Sequence, residues 1–344
     1  MPSEKPSFLA QTCNARKVLV LDLGFLGDTV HLLPALWAVR QGYPDAQLHV
    51  MVAEHVTSLL AVAPWIDRVW GYPRFPKGPK PWQDLGRVRS LRRQKFDVVI
   101  NFNGSDRSSL LTGLSGARWR LGRRPMDGGP LHWRWLFTHE VSFRHREDPM
   151  YVQSWECAKR SGFPGEKPEF HVAIKPEWLL KAGIDAAAFQ SYFHVSPCTT
   201  QDAKELPLPI LAEALNQLSN EFPDKKIVLS CAPNDRERRK LATLISQLKS
   251  PPWKTFAGTL NLVELTAVIQ QACLHFGGDS GALHLAMMTG VPMISWFREY
   301  SGAKDWRPPA DEKRVVLVGQ ETPTGLSGIG HAAIVAAVEK VGCA

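Results

Sequence analysis

Both halves of this 344-residue chain repeat one pattern: a short apolar run, a loop of glycines or polar residues, then a stretch with helical spacing. A buried strand separated from the next by a helix pairs with it in parallel. The pattern therefore restricts the chain to α/β architecture, with helices covering both faces of a parallel sheet. In the first half, strands are expected over 17–23, 47–53, 68–71, 96–102, 117–121 and 139–143. Helices are expected over 29–41, 82–94, 106–114 and 150–160, with a short one from residue 55. Residues 162–168 are rich in Gly and Pro. They place a boundary between a domain spanning 1–170 and one spanning 171–344. The alternation then restarts, with strands at 192–196, 226–231, 291–296 and 314–318. Helices follow at 208–221, 235–248 and 262–271, and 330–341 forms a closing helix. Two doubly wound domains facing one another place a ligand cleft at the carboxyl ends of their strands.

The charge is unevenly spread. Residues 68–146 hold 17 Lys and Arg against 5 Asp and Glu, a larger excess than the +8 of the whole chain. Such a face suits a polyanion, whether phosphorylated lipid, acidic sugar or nucleic acid. Six cysteines are scattered with no C-x-x-C pair, as suits a reducing compartment. The polar N-terminus has no signal-peptide core, and no apolar run approaches a membrane span, so a cytoplasmic location is expected.

Four strand-end loops carry the chemistry. Gly24 to Asp28 is an incomplete dinucleotide fingerprint, which leaves an NAD(P) oxidoreductase as one alternative. Asp28 sits where a helix begins, either as its cap or as a general base for an attacking hydroxyl. Asn101 to Ser108 offers Arg107 as a clamp for an acidic acceptor and Asp106 as a second candidate base. In the second half, Thr199, Thr200 and Lys204 bring two hydroxyls and a cation to a loop, a set suited to a diphosphate. Gly277 to Ala286 turns a buried strand into a helix at Asp279, Ser280 and Gly281, with His284 one turn further on. A helix start of this kind receives phosphate on its unpaired amides. Neither a D-x-D signal nor a metal cage is evident, so no metal is expected. A non-catalytic nucleotide- or polyanion-binding module is the alternative from another class.

Taken together, these stretches resemble the bacterial heptosyltransferases of glycosyltransferase family 9. The resemblance is carried by Gly27-Asp28-Thr29-Val30-His31-Leu32-Leu33-Pro34-Ala35-Leu36, by Thr199 to Pro207, by Asp279-Ser280-Gly281-Ala282-Leu283-His284, and by Asn101 to Ser108. It implies a GT-B fold, two Rossmann-like domains with the acceptor on the first and the nucleotide sugar on the second. It also implies inverting, metal-independent transfer of heptose from ADP-heptose, or of another sugar from another nucleotide, to an acidic lipopolysaccharide inner-core acceptor. No cofactor is implied beyond the substrate nucleotide sugar. By the same likeness Asp28 is the base and Lys204 assists the leaving group. Thr199, Thr200, Lys204, Asp279, Ser280, Gly281 and His284 hold the donor, and His31, Asp106 and Arg107 face the acceptor. A glycolipid acceptor implies peripheral contact with the cytoplasmic face of the inner membrane and no nucleic-acid partner.

Overall fold

The computed structural model describes residues 6–74, 78–124, 134–145 and 147–342. The start of the polar N-terminus, residues 75–77, 125–133 and 146 of the basic stretch, and Cys343 lie outside them. The chain divides into two compact units, Met1–Ala173 and Ile174–Ala344.

The first unit is built on a six-stranded, all-parallel sheet: β1 (Lys17–Leu21), β2 (Gln47–Ala53), β3 (Arg68–Tyr72), β4 (Val98–Asn101), β5 (Trp119–Arg123) and β6 (His139–Val141). Its helices are α1 (Phe8–Thr12), α2 (Leu26–Gly42), α3 (Asp84–Gln94), α4 (Asp106–Leu114) and α5 (Met150–Arg160). Strand order is β3-β2-β1-β4-β5-β6. β1 reads as an unbroken apolar run because both faces are covered. Leu19 and Leu21 join Val88 and Leu91 of α3 and Leu111 of α4 in one core, and Val18 and Val20 are equally buried. The order reverses between β1 and β4, so the loops after these two strands part and leave a crevice at their carboxyl ends.

The second unit repeats the plan: α6 (Pro176–Lys181), β7 (Tyr192–Ser196), α7 (Leu208–Glu221), β8 (Lys226–Cys231), α8 (Asp235–Gln247), β9 (Lys254–Ala257), α9 (Leu262–Gln271), β10 (Leu274–Gly278), α10 (Gly281–Thr289), β11 (Met293–Arg298), β12 (Arg314–Thr322), β13 (Gly325–Ser327) and α11 (His331–Val341). The order is β13-β12-β11-β10-β7-β8-β9, with only β13 antiparallel. The reversal falls between β10 and β7. One face of the sheet presents Phe193, Phe276, Ile294 and Trp296 to α7 and α11. The other carries a buried polar run. His194 and His275, register partners on β7 and β10, stack with centroids 5.0 Å apart and Nδ1 atoms 2.8 Å apart. Ser230 Oγ lies 3.0 Å from His194 Nε2.

Several elements differ from the sequence expectation. α2 starts at Leu26, three residues early, which moves Asp28 from a cap position into the first helical turn. Residues 54–62 form a 3-10 rather than an α-helix. β5 lies two residues later than expected. α1, α6, β9 and β13 were not expected; they have 5, 6, 4 and 3 residues, too few to show a period.

Candidate active site

In the first unit the crevice is organised by Gly24. A Cβ there would lie 2.2 Å from Asp28 Cβ, so only glycine lets the loop fold over the start of α2. Asp28 Oδ2 accepts the Phe25 N–H at 2.7 Å, satisfying an amide at the helix entrance. One residue past β1, Asp22 Oδ1 accepts the Gly24 N–H at 2.7 Å and an Asn103 Nδ2 hydrogen at 3.2 Å. The second contact ties the loop after β1 to the loop after β4. Arg74 donates to the Leu23 carbonyl.

Burial pushes the Asp28 carboxyl above its usual range, against the Phe25 amide and Arg74. Asp22 is pushed up to about 7, first by burial and then by the charge of Asp28, while the Gly24 amide, Asn103 and Arg74 oppose the shift. Two carboxylates this close do not both ionise freely. Asp22, Asp28, Asn103, Arg123, Met150 and Ser154 line a cavity of about 230 Å³. Arg123 is fixed there by Phe143 O (3.2 Å) and Gln153 Oε1 (3.1 Å).

The expected acceptor residues lie elsewhere. His31 is fully buried, and its Nδ1 accepts the Tyr151 N–H at 3.0 Å, which holds the start of α5 on α2. Arg107 reaches Tyr72 Oη (3.2 Å) and Asp84 (4.0 Å). Asp106 is exposed in the first turn of α4. None of the three lines the cavity. Asp22, Asn103 and Arg123 line it instead.

In the second unit the loops after β7 and β10 meet. Lys204 Nζ is 2.6 Å from Asp279 Oδ2, with side chains 17% and 13% exposed. Ser280 caps α10 in extended conformation without a side-chain bond to the helix. The amides of Gly281, Ala282 and Leu283 precede the first intrahelical bond, His284 N–H to Ser280 O. Ser280 Oγ and Trp296 Nε1 are buried without a hydrogen-bond partner among the described residues. At Gly278 a Cβ would meet Trp296 Nε1 at 2.6 Å and Thr199 Cγ2 at 3.0 Å. The backbone thus passes directly beside the indole N–H. Donors left open beside a lysine and a helix N-terminus make an anion cradle. His284 is buried edge-on to Trp306, and burial lowers it to about 4, so it is neutral at pH 7. Thr199 is turned to another task. Its N–H donates to Glu205 Oε1 (2.7 Å) and its hydroxyl to Gln201 O (2.8 Å). Thr200 is exposed. Among the described residues no group of three or more His, Cys, Asp or Glu is placed to hold a metal ion.

Residues 86–325 match the family model for Glycosyltransferase family 9 (heptosyltransferase). The chain belongs to glycosyltransferase family 9. Lipopolysaccharide heptosyltransferase 3 of Escherichia coli is 25% identical to this glycosyltransferase over 347 residues, covering 92% of this chain and 96% of that protein. Two solved structures share its fold at 17% identity each. The family 9 glycosyltransferase of Veillonella parvula aligns at a TM-score of 0.76, covering 95% and 97% of the two chains. Escherichia coli heptosyltransferase WaaC, solved with ADP-2-deoxy-2-fluoro heptose, aligns at 0.74, covering 94% and 99%. These likenesses establish the GT-B architecture and set aside both the oxidoreductase and the binding-module readings.

One feature of the glycosyltransferase escaped the sequence reading: the charged cluster behind the 199–205 loop. Arg236 binds Asp202 Oδ1 (Nε, 2.6 Å), Glu205 Oε1 (2.6 Å) and the Thr199 carbonyl (2.8 Å), and Lys240 binds Asp202 and Glu205. Glu205 is buried and α8 supplies both cations. This network fixes the loop that presents Lys204.

Proposed function

We propose that this enzyme transfers heptose from ADP-heptose to an acidic lipopolysaccharide inner-core acceptor, with inversion and without a metal or cofactor. The observation that carries the reading is the division of chemistry between the two strand-order reversals. One holds a desolvated carboxylate at a cavity, and the other an anion cradle with open donors. A Ser280 hydroxyl, an indole N–H, three helix amides and a lysine suit a diphosphate. The nucleotide heptose analogue held by WaaC and the name of the Escherichia coli relative support the donor and acceptor classes.

In this reading Asp28 accepts the proton of an acceptor hydroxyl as that oxygen bonds to the anomeric carbon. The bond from that carbon to the β-phosphate oxygen breaks, and ADP leaves with its electron pair from the opposite face of the sugar. Lys204 and the start of α10 offset the charge that develops, the work a metal ion does in other transferases. Asp279 holds Lys204 in place, and Ser280 and Gly281 face the phosphates. Thr199 shapes the loop, Thr200 stands at its exposed edge, and His284 packs behind the site. Arg123 meets the acidic group of the acceptor.

Among the described residues no helix is long and apolar enough to cross a membrane. The first unit nevertheless exposes Trp82, Leu85, Leu110 and Trp135, the last 87% exposed, beside exposed Arg89, Arg93 and Arg134. Arg92 Nε bonds Leu114 O (2.9 Å) and Leu136 packs on Gly113, so α3, α4 and the segment that carries Trp135 are neighbours. Basic residues with exposed tryptophans suit an anionic bilayer, where a lipid-linked acceptor resides. This reading places the enzyme at the cytoplasmic face of the inner membrane and involves no nucleic acid.

The test is nucleoside diphosphate release from ADP-, GDP-, UDP- and dTDP-sugars, with heptose-free lipopolysaccharide core in solution and in anionic vesicles. Acceptor-dependent release from ADP-heptose alone, faster on vesicles, is expected. Release from a different donor would replace the sugar nucleotide, and equal rates in both formats would remove the membrane contact.

A further inference from the structure

We propose that Asp22 is a further functional carboxylate of this site, a positioning residue that acts on the acceptor hydroxyl through Asp28. The inference rests on Asp28 being the base.

Asp22 lines the same cavity as Asp28, and both lie at the carboxyl end of β1. Its Oδ1 is occupied by two donors, the Gly24 amide and the Asn103 side chain. A proton on Asp22 therefore sits on Oδ2. A carboxyl group buried to 6% exposure and placed beside another carboxylate is costly to keep there. The Gly24 amide and the Asn103 side chain nevertheless hold it. The charged groups around it are Asp28 from α2, Arg74 from the segment after β3 and Arg123 from β5. His55, in the 3-10 turn after β2, is held below its usual value by burial and then by the same Arg74.

Two adjacent carboxylates lose their protons in steps that belong to the pair. Asp28, with the Phe25 amide on its carboxylate, ionises first, while Asp22 keeps its proton to about 7. Below that pH Asp28 works beside a neutral acid. Above it Asp28 works beside a second negative charge, which strengthens its hold on the hydroxyl proton. The sign follows: turnover rises through pH 7 as Asp22 ionises, because a stronger base transfers the proton more readily.

The experiment measures ADP release against pH from 5 to 9 with ADP-heptose and heptose-free core, for wild type, Asp22→Asn, Asn103→Ala and Asp28→Asn. Wild type is expected to show an ionisation near 7 in kcat. In Asp22→Asn that step disappears, the remaining acid limb moves below pH 6, and kcat at pH 8 falls about tenfold, with the donor KM unchanged. Asn103→Ala removes a donor that favours ionised Asp22, so its step moves upward by about half a pH unit. Asp22→Asn also melts higher than wild type at pH 8 and equal to it at pH 4, because the folded state disfavours the ionised form only above the unfolded pKa. A role confined to structure would lower melting at both. An Asp22→Asn or Asn103→Ala enzyme with the wild-type pH profile overturns the proposal, even when Asp28→Asn is inactive. An active Asp28→Asn enzyme instead overturns the base assignment, and an inactive Asp22→Asn beside it makes Asp22 the base.

Discussion

An Asp28→Asn enzyme is expected to turn over at least about 100-fold more slowly than wild type, the lower end of what a positioned proton acceptor contributes. Asparagine keeps an oxygen for the Phe25 N–H, which Asp28 Oδ2 accepts at 2.7 Å, so the entrance of α2 stays capped. The exchange removes proton affinity and little else. Burial makes this carboxylate a stronger base than a solvated one, while the Phe25 amide and Arg74 work against that shift. Steady-state kcat with an independent measurement of ADP affinity checks this. Affinity should not change, since the anion cradle belongs to the other unit. A kcat within threefold of wild type removes Asp28 from the chemistry.

Lys204→Ala is expected to weaken ADP binding by about 10- to 100-fold, equivalent to the roughly 1.5–3 kcal/mol of a hydrogen bond to a charged group. Part of that loss comes from Asp279. Its partner is 2.6 Å away and its side chain is 13% exposed, so the lysine leaves behind a carboxylate aimed at the phosphates. The double variant Lys204→Ala/Asp279→Asn removes that repulsion and should recover several-fold in affinity. Calorimetric titration of ADP into both proteins decides it. Wild-type affinity in the single variant excludes contact between Lys204 and the diphosphate. A double variant no better than the single one excludes the repulsion.

Where the sequence and the structure agree, the reason is length and period. α5, α7 and α9 fall on their expected limits because each repeats apolar residues over at least two turns, and α4 because Asn103-Gly104-Ser105 opens it and Ser115-Gly116 closes it. β7 and β8 agree because each is a short run dominated by apolar and aromatic residues between polar loops. The short pieces carry no such signal. Within the sites, Asp28, Lys204, Asp279 and Ser280 were legible because each lies in a polar or glycine-containing stretch that separates an apolar run from a helical pattern. Asp22 was not, since it reads as the tail of the apolar run 17–23. Arg123 and the Glu205–Arg236 pair were hidden for another reason: their partners lie 20 to 31 residues away in sequence and meet only across the sheet. The bond His31 makes was hidden likewise, since its partner, the Tyr151 amide, is 120 residues distant.

The stacked histidines of β7 and β10 have a consequence for how the enzyme meets acid. Burial lowers His194 to about 3 and His275 well below its usual value, and His284 of the same unit falls to about 4. Below about pH 6.5 the unfolded chain takes up protons that these three folded histidines refuse, so the second unit loses stability as pH falls. In the first unit His49, His55 and His139 work in the same direction, but Asp22 and Asp28 oppose them, since the folded state holds those two protons more tightly than the unfolded chain does. Acidification is therefore selective. Scanning calorimetry should show one endotherm moving down faster than the other between pH 6.5 and 4, and transitions that fall in step would contradict this. Acid thus erodes the half that carries the anion cradle more steeply than the half that carries the carboxylate pair.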